Sequence, residues 1–250
     1  MLHCRRATAV TSLLFALVVV TANWASGQVP DKFSNLRFFP KDISKPDLMA
    51  HMRGFSFALD VRCSYCHVER SAKELDLDFA SDDKPAKKTA RLMLAMVTTI
   101  NHDYVGKIGK TDPIRVECAT CHRGLPQPKT LKATLSEAID KQGIEEAIAV
   151  YRDLRSRYYG TGQYDFGESQ LNQLTEVLLR NNKNKQAAAL MEMNFEANHP
   201  TSIWSYHLLA MSHQANGEKE KARADYKKVV ELYPQDSWAK KQLDSLTDSK

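Results

Sequence analysis

Beyond residue 27 the chain has no long apolar run, no phosphate loop, no Ser/His/Asp set, no paired carboxylate array and no basic patch interleaved with aromatics. The first absence excludes a membrane span, which needs about 20 apolar residues, anywhere but the N-terminus. The next three leave no sequence mark of nucleotide binding or hydrolytic chemistry. The last excludes nucleic acid as a partner. Cysteine is also scarce, five in 250 residues, yet four of the five fall in two copies of one motif.

Those copies are Cys63-Ser64-Tyr65-Cys66-His67 and Cys118-Ala119-Thr120-Cys121-His122. C-x-x-C-H is the attachment signature of c-type haem. Two thiols three positions apart can each form a thioether with a porphyrin vinyl group, and the next residue places an imidazole under the iron. Cys63, Cys66, Cys118 and Cys121 are therefore the expected attachment points of two covalent haems, with His67 and His122 as iron ligands. A Cys4 zinc site is the competing reading, but 51 residues separate the pairs and each pair is followed by His. Redox-active C-x-x-C pairs normally follow a strand in a βαβ pattern, and no strand pattern precedes either copy.

The N-terminus reads as an address. Arg5 and Arg6 precede an apolar run from Ala7 to Ala22, and Ala25, Ser26 and Gly27 follow. That order is a secretory signal peptide, residues 1–27, with an uncleaved membrane anchor as the alternative. Its removal would take away Cys4 and two arginines, lowering the formal charge from +5 to about +3. Four haem propionates would bring the charge near −1. The expected location is periplasmic or at the cell surface, because bacteria attach c-type haem outside the cytoplasmic membrane.

Each motif follows a helix. Ser44-Lys45-Pro46-Asp47 is a helix start, with Ser44 as N-cap, and predicts a helix to about Leu59. Leu48, Met52, Phe55 and Leu59 give it one apolar face. Asp82-Asp83-Lys84-Pro85 opens a second helix predicted to reach about Tyr104, and a loop with Gly106, Gly109, Asp112 and Pro113 leads on to Cys118. Both helices carry Leu-Met-x-x-Met, at Leu48–Met52 and Leu92–Met96, so the haem-binding unit is repeated. Thioether sulfur is a known axial ligand, which makes Met52 and Met96 the expected sixth ligands. Met49 and Met93 are their neighbours in the phrase, and His51 and His102 are competing distal ligands that read as exposed. All four methionines could instead pack as core.

Several phrases carry a wider likeness: Asn35-Leu36 through Pro40-Lys41-Asp42-Ile43-Ser44, Met52-Arg53-Gly54-Phe55, Val61 to Val68, Asp78-Phe79-Ala80-Ser81-Asp82 with Lys84-Pro85, and Cys118 to Gly124. In these, residues 33–128 resemble the cytochrome c subunit of photosynthetic reaction centres, and in particular its shorter relatives in bacteria without photosynthesis. The resemblance implies haem sites built from a helix, a turn and C-x-x-C-H, with a helix Met as the usual sixth ligand. Two departures stand out: that subunit typically holds four haems against two motifs here, and Asp60 replaces a common Gly at the turn before Cys63. Asp tolerates left-handed backbone better than most residues.

Arg123-Gly124-Leu125-Pro126-Gln127-Pro128 cannot continue a helix and marks a boundary. Beyond it Asn182, Lys185, Ala188, Pro200 and Trp204 recur 34 residues later as Asn216, Lys219, Ala222, Pro234 and Trp238. That is the period of tetratricopeptide repeats. The clearest repeat starts near Ile203, and Gly143 to Tyr151 reads as the second helix of an earlier one. The stretch from Tyr158 to Tyr164 interrupts the period. His199, His207 and His213 have no ligand spacing to each other and read as ordinary helix or loop residues.

The expected fold is mainly α: a c-type cytochrome domain of paired helix–turn–CxxCH units (28–128), then an α-solenoid of tetratricopeptide repeats (129–250). The expected function is electron carriage between redox protein partners, with the repeats docking a partner or driving self-association into an oligomer or filament. No catalytic residue is expected. The alternatives are a peroxidase-like haem enzyme using His51 or His102, and an assembly protein with conducting haems.

Overall fold

The computed structural model describes residues 29–71, 76–108 and 114–247. The expected signal peptide and part of the loop ahead of Cys118 lie outside them. The protein is mainly helical, as expected, and its contacts gather into two compact units. Among the described residues no helix is long and apolar enough to cross a membrane.

The first unit joins the described residues up to Ile43 to those of Cys63–Leu92. A 3-10 turn, Cys63–Tyr65, leads into strand β1 (Val68–Glu69), which pairs antiparallel with β2 (Leu77–Asp78), Val68 facing Asp78 and Glu69 facing Leu77. Leu77 is buried. Asp78 then accepts the backbone N–H groups of Ala80 and Ser81, each at 2.9 Å, and bends the chain toward helix α2 (Pro85–Thr99). Asp82 is the hub of this unit. Arg91 reaches it at 2.9 Å, Asn35 donates to it at 2.9 Å, and Arg37 and Lys87 lie at 3.4 and 3.5 Å.

The second unit holds Ser44–Arg62 and the described residues from Met93 onward. Helix α1 (Lys45–Leu59) begins as its sequence requires: the Ser44 hydroxyl accepts the Asp47 N–H at 3.2 Å, which satisfies an orphan donor of the first turn. It ends at Asp60, whose φ of 51° and ψ of 50° are left-handed. The second haem-preceding helix ends differently. After Thr99 it continues as a π-helical turn, Ile100–Tyr104, and a 3-10 turn, Val105–Lys107. Helix α3 (Cys118–His122) packs against α1.

Helices α4 (Leu131–Gln142), α5 (Ile144–Tyr158), α6 (Glu168–Arg180), α7 (Asn184–Asn198), α8 (Ile203–Ala215), α9 (Lys219–Leu232) and α10 (Ser237–Thr247) complete this unit. They stack as the pairs α4/α5, α6/α7 and α8/α9, with α10 against α9. Ala188 and Ala222, 34 residues apart, are both buried, small enough to let helices approach closely. Leu135, Tyr151, Leu171 and Leu190 fill the core of the first pairs, and Ala210, Tyr226, Val229 and Ala239 that of the last. The stretch that interrupts the period is the loop between α5 and α6. Its Tyr158 and Tyr164 rings meet at 5.6 Å, and Phe166 beyond it packs on Tyr151 at 5.9 Å.

Candidate haem centres

In the second motif, Cys118 to His122 form one helical turn and a half. Glu117 caps that turn and exchanges the reciprocal bonds of a capping box with Thr120. Arg123 and Gly124, at φ of 48° and 81°, then turn the chain left-handed. This returns the Leu125 carbonyl to His122, whose Nδ1 it meets at 2.8 Å. A carbonyl can only accept, so Nδ1 carries the proton and Nε2 keeps its lone pair for a metal. Gly124 N–H also donates to Ala58 O at 2.9 Å, which fixes the motif on the end of α1. A Cβ at Gly124 would lie only 2.9 Å from Gln163 Nε2, so the α5–α6 loop reaches the same turn.

Met96 sits on α2 and is 46% exposed; Met93 is 40% exposed. Asn101, five positions after Met96, holds this helix to the second motif. Its amide donates to Val116 O and accepts from Val116 N, both at 2.8 Å, two residues before Cys118.

In the first motif, the amides of Cys66 and His67 both return to Cys63 O, at 3.2 and 3.0 Å, closing a single turn. Lys84 donates to the Ser64 carbonyl from the start of the second haem-preceding segment. The Phe79 ring meets the His67 ring edge to face at 5.0 Å. Burial, with Lys87, Lys84 and Arg91 adding to it, pushes the His67 imidazole down to about 4. It is therefore neutral at pH 7, the state a metal ligand needs. His67 Nδ1 is buried and has no hydrogen-bond partner. Burial pushes the Cys66 and Cys118 thiols up. Cys63, Cys66 and Cys118 are partly buried and Cys121 is exposed. Met52 lies half-buried on α1, one turn beyond the buried Leu48; Met49 is half-buried as well. His51 and His102 are both exposed.

Helix α2 buries none of its side chains, although α4 to α9 each bury at least three. Leu92 is 73% exposed. Apolar side chains repeating along a helix and presented outward suit a large apolar cofactor, and the imidazoles of His67 and His122 suit its iron. The residues present therefore fit covalent haem.

The sequence profile of the photosynthetic reaction centre cytochrome c subunit matches residues 41–218. The chain belongs to that family. A tetratricopeptide-repeat profile matches residues 205–236. Among curated relatives, cytochrome c-554 of Chloroflexus aurantiacus is 34% identical over 85 residues, 34% of this chain and 19% of its own length. The photosynthetic reaction center cytochrome c subunit of Thermochromatium tepidum is 39% identical over 67 residues, 27% of this chain and 14% of that one. The same subunit of Rubrivivax gelatinosus is 36% identical over 69 residues, 28% and 16% of the two chains. The chain thus spans less than a fifth of the length of these three relatives. Membership of a cytochrome c family implies covalently bound haem.

Sequence reasoning did not find Asn101, the Leu125 carbonyl, Phe79 or the Asp82 hub as parts of these sites. Asp78 to Ser81 entered only as a phrase of the resemblance, and Asp82 only there and in a helix start. Asp78 and Ser81 are turn-favouring residues, and that was the available signal.

Proposed function

We propose that this is an exported dihaem c-type cytochrome that passes electrons between redox proteins. Residues 1–27 act as its signal peptide, 28–128 as the haem-bearing domain and 129–250 as the repeat domain that docks a partner. Cys63 and Cys66 hold one haem by thioethers, and Cys118 and Cys121 the other. His67 and His122 ligate the irons from one side, and Met52 and Met96 from the other. The haem supplies reversible one-electron exchange; the chain binds, orients and shields it.

The observation that carries this reading is the 2.8 Å contact between His122 Nδ1 and Leu125 O, which leaves Nε2 as the only free ring nitrogen, one residue after Cys121. Lys84, Lys87 and Arg91 beside His67 offer positive charge to the propionates of the first haem. A peroxidase-like site would need a buried distal acid/base group. His102 is exposed and its Nδ1 is engaged by Asp103 at 2.7 Å, so nothing on α2 or its π turn favours that role. Gln163, set against Gly124, joins the repeats to the second haem motif, which favours a repeat domain that holds a partner near that haem.

The test is spectroscopic. Both irons should be low-spin and six-coordinate, with two Met–iron charge-transfer bands. Met52→Leu and Met96→Leu should each remove one band and lower one potential, since thioether ligation raises it. Loss of the bands in Met49→Leu or Met93→Leu instead would overturn the ligand assignment, and a high-spin iron would overturn the carrier reading.

A further inference from the structure

His213 has no part in either haem centre, and its sequence surroundings mark it as ordinary. The structure buries it: its side chain is 5% exposed in the last turn of α8. Asp225 of α9 meets its Nδ1 at 2.5 Å. Nε2 then faces two carboxylates from different elements, Glu192 Oε1 of α7 at 3.2 Å and Glu218 Oε2, from the N-cap of α9, at 3.7 Å. Glu218 Oε2 is itself buried and has no hydrogen-bond partner. Ligand atoms of His213, Glu192 and Glu218 all lie within 4.8 Å of one another.

Three features of this cluster go beyond an ion pair. Zinc bonds to His nitrogen and carboxylate oxygen are about 2.0–2.2 Å, so tetrahedral ligands stand roughly 3.3–3.6 Å apart. The two distances at Nε2 bracket that edge. A carboxylate on the far ring nitrogen is the usual outer partner of a metal-ligating His, because it fixes the tautomer and raises basicity. The charges also match. Glu192, Glu218 and Asp225 face one cation, Lys221, whose Nζ lies 2.7 Å from Glu192 Oε1 and 3.4 Å from Glu218 Oε1. Once a metal displaces any proton on Nε2, the group carries about two negative charges in excess, which a divalent ion cancels.

We propose that His213 Nε2, Glu192 and Glu218 form a divalent-cation site of the zinc type, with Asp225 positioning His213 and a water as the fourth ligand. The ion pins α7, α8 and α9 together where two repeats meet. On binding, Lys221 gives up Glu192 to the metal and turns to solvent, and any proton on Nε2 leaves for bulk water.

The test uses full-length, untagged, haem-loaded protein, treated with EDTA, dialysed and titrated with zinc chloride. The proposal expects one zinc per chain by calorimetry and by metal analysis after dialysis. It expects an X-ray absorption edge fitted by nitrogen and oxygen alone, which separates this site from cysteine thiolates. Zinc should raise the melting temperature of the repeats. Glu218→Gln, part-exposed and so tolerant of change, should lose at least tenfold in affinity, and His213→Gln should abolish the site. Asp225→Asn should weaken binding by about 10–100-fold, as loss of an outer partner does. Lys221→Gln should tighten it by removing the competitor, and His207→Gln should leave it unchanged. No stoichiometric zinc, sulfur in the first shell, or full affinity in a folded Glu218→Gln protein would overturn the proposal.

Discussion

Asn101 and Val116 exchange two hydrogen bonds of 2.8 Å, side-chain amide to backbone, across 15 residues of sequence. This pair is what ties the end of the second haem-preceding helix to the segment that delivers Cys118. The π-helical turn at Ile100–Tyr104 includes Asn101 itself. Such turns are concentrated at functional sites.

Asn101→Ala should therefore do two things. It leaves the N–H and C=O of Val116 without partners, at a cost of about 1–3 kcal/mol for a group kept from water. It also loosens the helix that carries Met96. Redox titration of the variant should show one potential displaced and the other unchanged, with a lower melting temperature by circular dichroism. Two unchanged potentials would mean that the pair serves the fold alone.

Asp82 gives a pH dependence. Its hydrogen bond to Arg91, helped by the bond from Asn35 and the charges of Arg91 and Lys87, holds its carboxyl well below the usual carboxylate range against the opposing effect of burial. A carboxyl depressed in the folded state stabilises it above the unfolded value of about 3.9, and that contribution is lost as pH falls below it. Wild type should melt higher than Asp82→Asn at pH 7, and the gap should hold to about pH 5. Below about pH 4 it should narrow progressively as pH falls. A gap that stays constant to pH 3 would show that the carboxylate charge is irrelevant.

The repeat core contains a buried polar chain. Asn172 donates to Ser205 Oγ at 2.8 Å and accepts from Asn194 at 3.3 Å, and Ser205 donates to Glu168 at 3.0 Å. Asn172, Asn194 and Ser205 are all fully buried. Asn172→Ala strands the Asn194 side-chain amide, while Ser205 keeps Ser202 and Glu168, and urea unfolding should register a loss of about 1–3 kcal/mol. The haem spectrum should not change.

Ala222 tests the packing where α8 and α9 cross. It is fully buried, so Ala222→Leu forces methylenes into a filled core and should destabilise by about 1–3 kcal/mol. The same change at the exposed Ala119, in the second motif, should cost the fold far less in the same urea assay.

What the sequence made legible was whatever is written locally. The two C-x-x-C-H motifs, the Ser44 cap and the Asp60 turn depend on neighbours within five residues, and α1 runs from Lys45 to Leu59 as its pattern implies. The 34-residue period likewise located the start of α8 at Ile203. Relations through space were not legible. Nothing near His213 in sequence announces Glu192 or Asp225, and nothing in the loop from Tyr158 to Tyr164 announces that Gln163 reaches Gly124. The π turn was also invisible, because its residues continue a helical pattern and differ only in which carbonyl each amide meets.

The most direct test of the central claim is the intact mass of the purified, exported protein under denaturing conditions. The account predicts the chain from about residue 28 plus two haems, both retained because thioethers survive unfolding. Cys63→Ala together with Cys66→Ala should remove one haem, and Cys118→Ala together with Cys121→Ala the other. A wild-type mass with fewer than two covalent haems would contradict it.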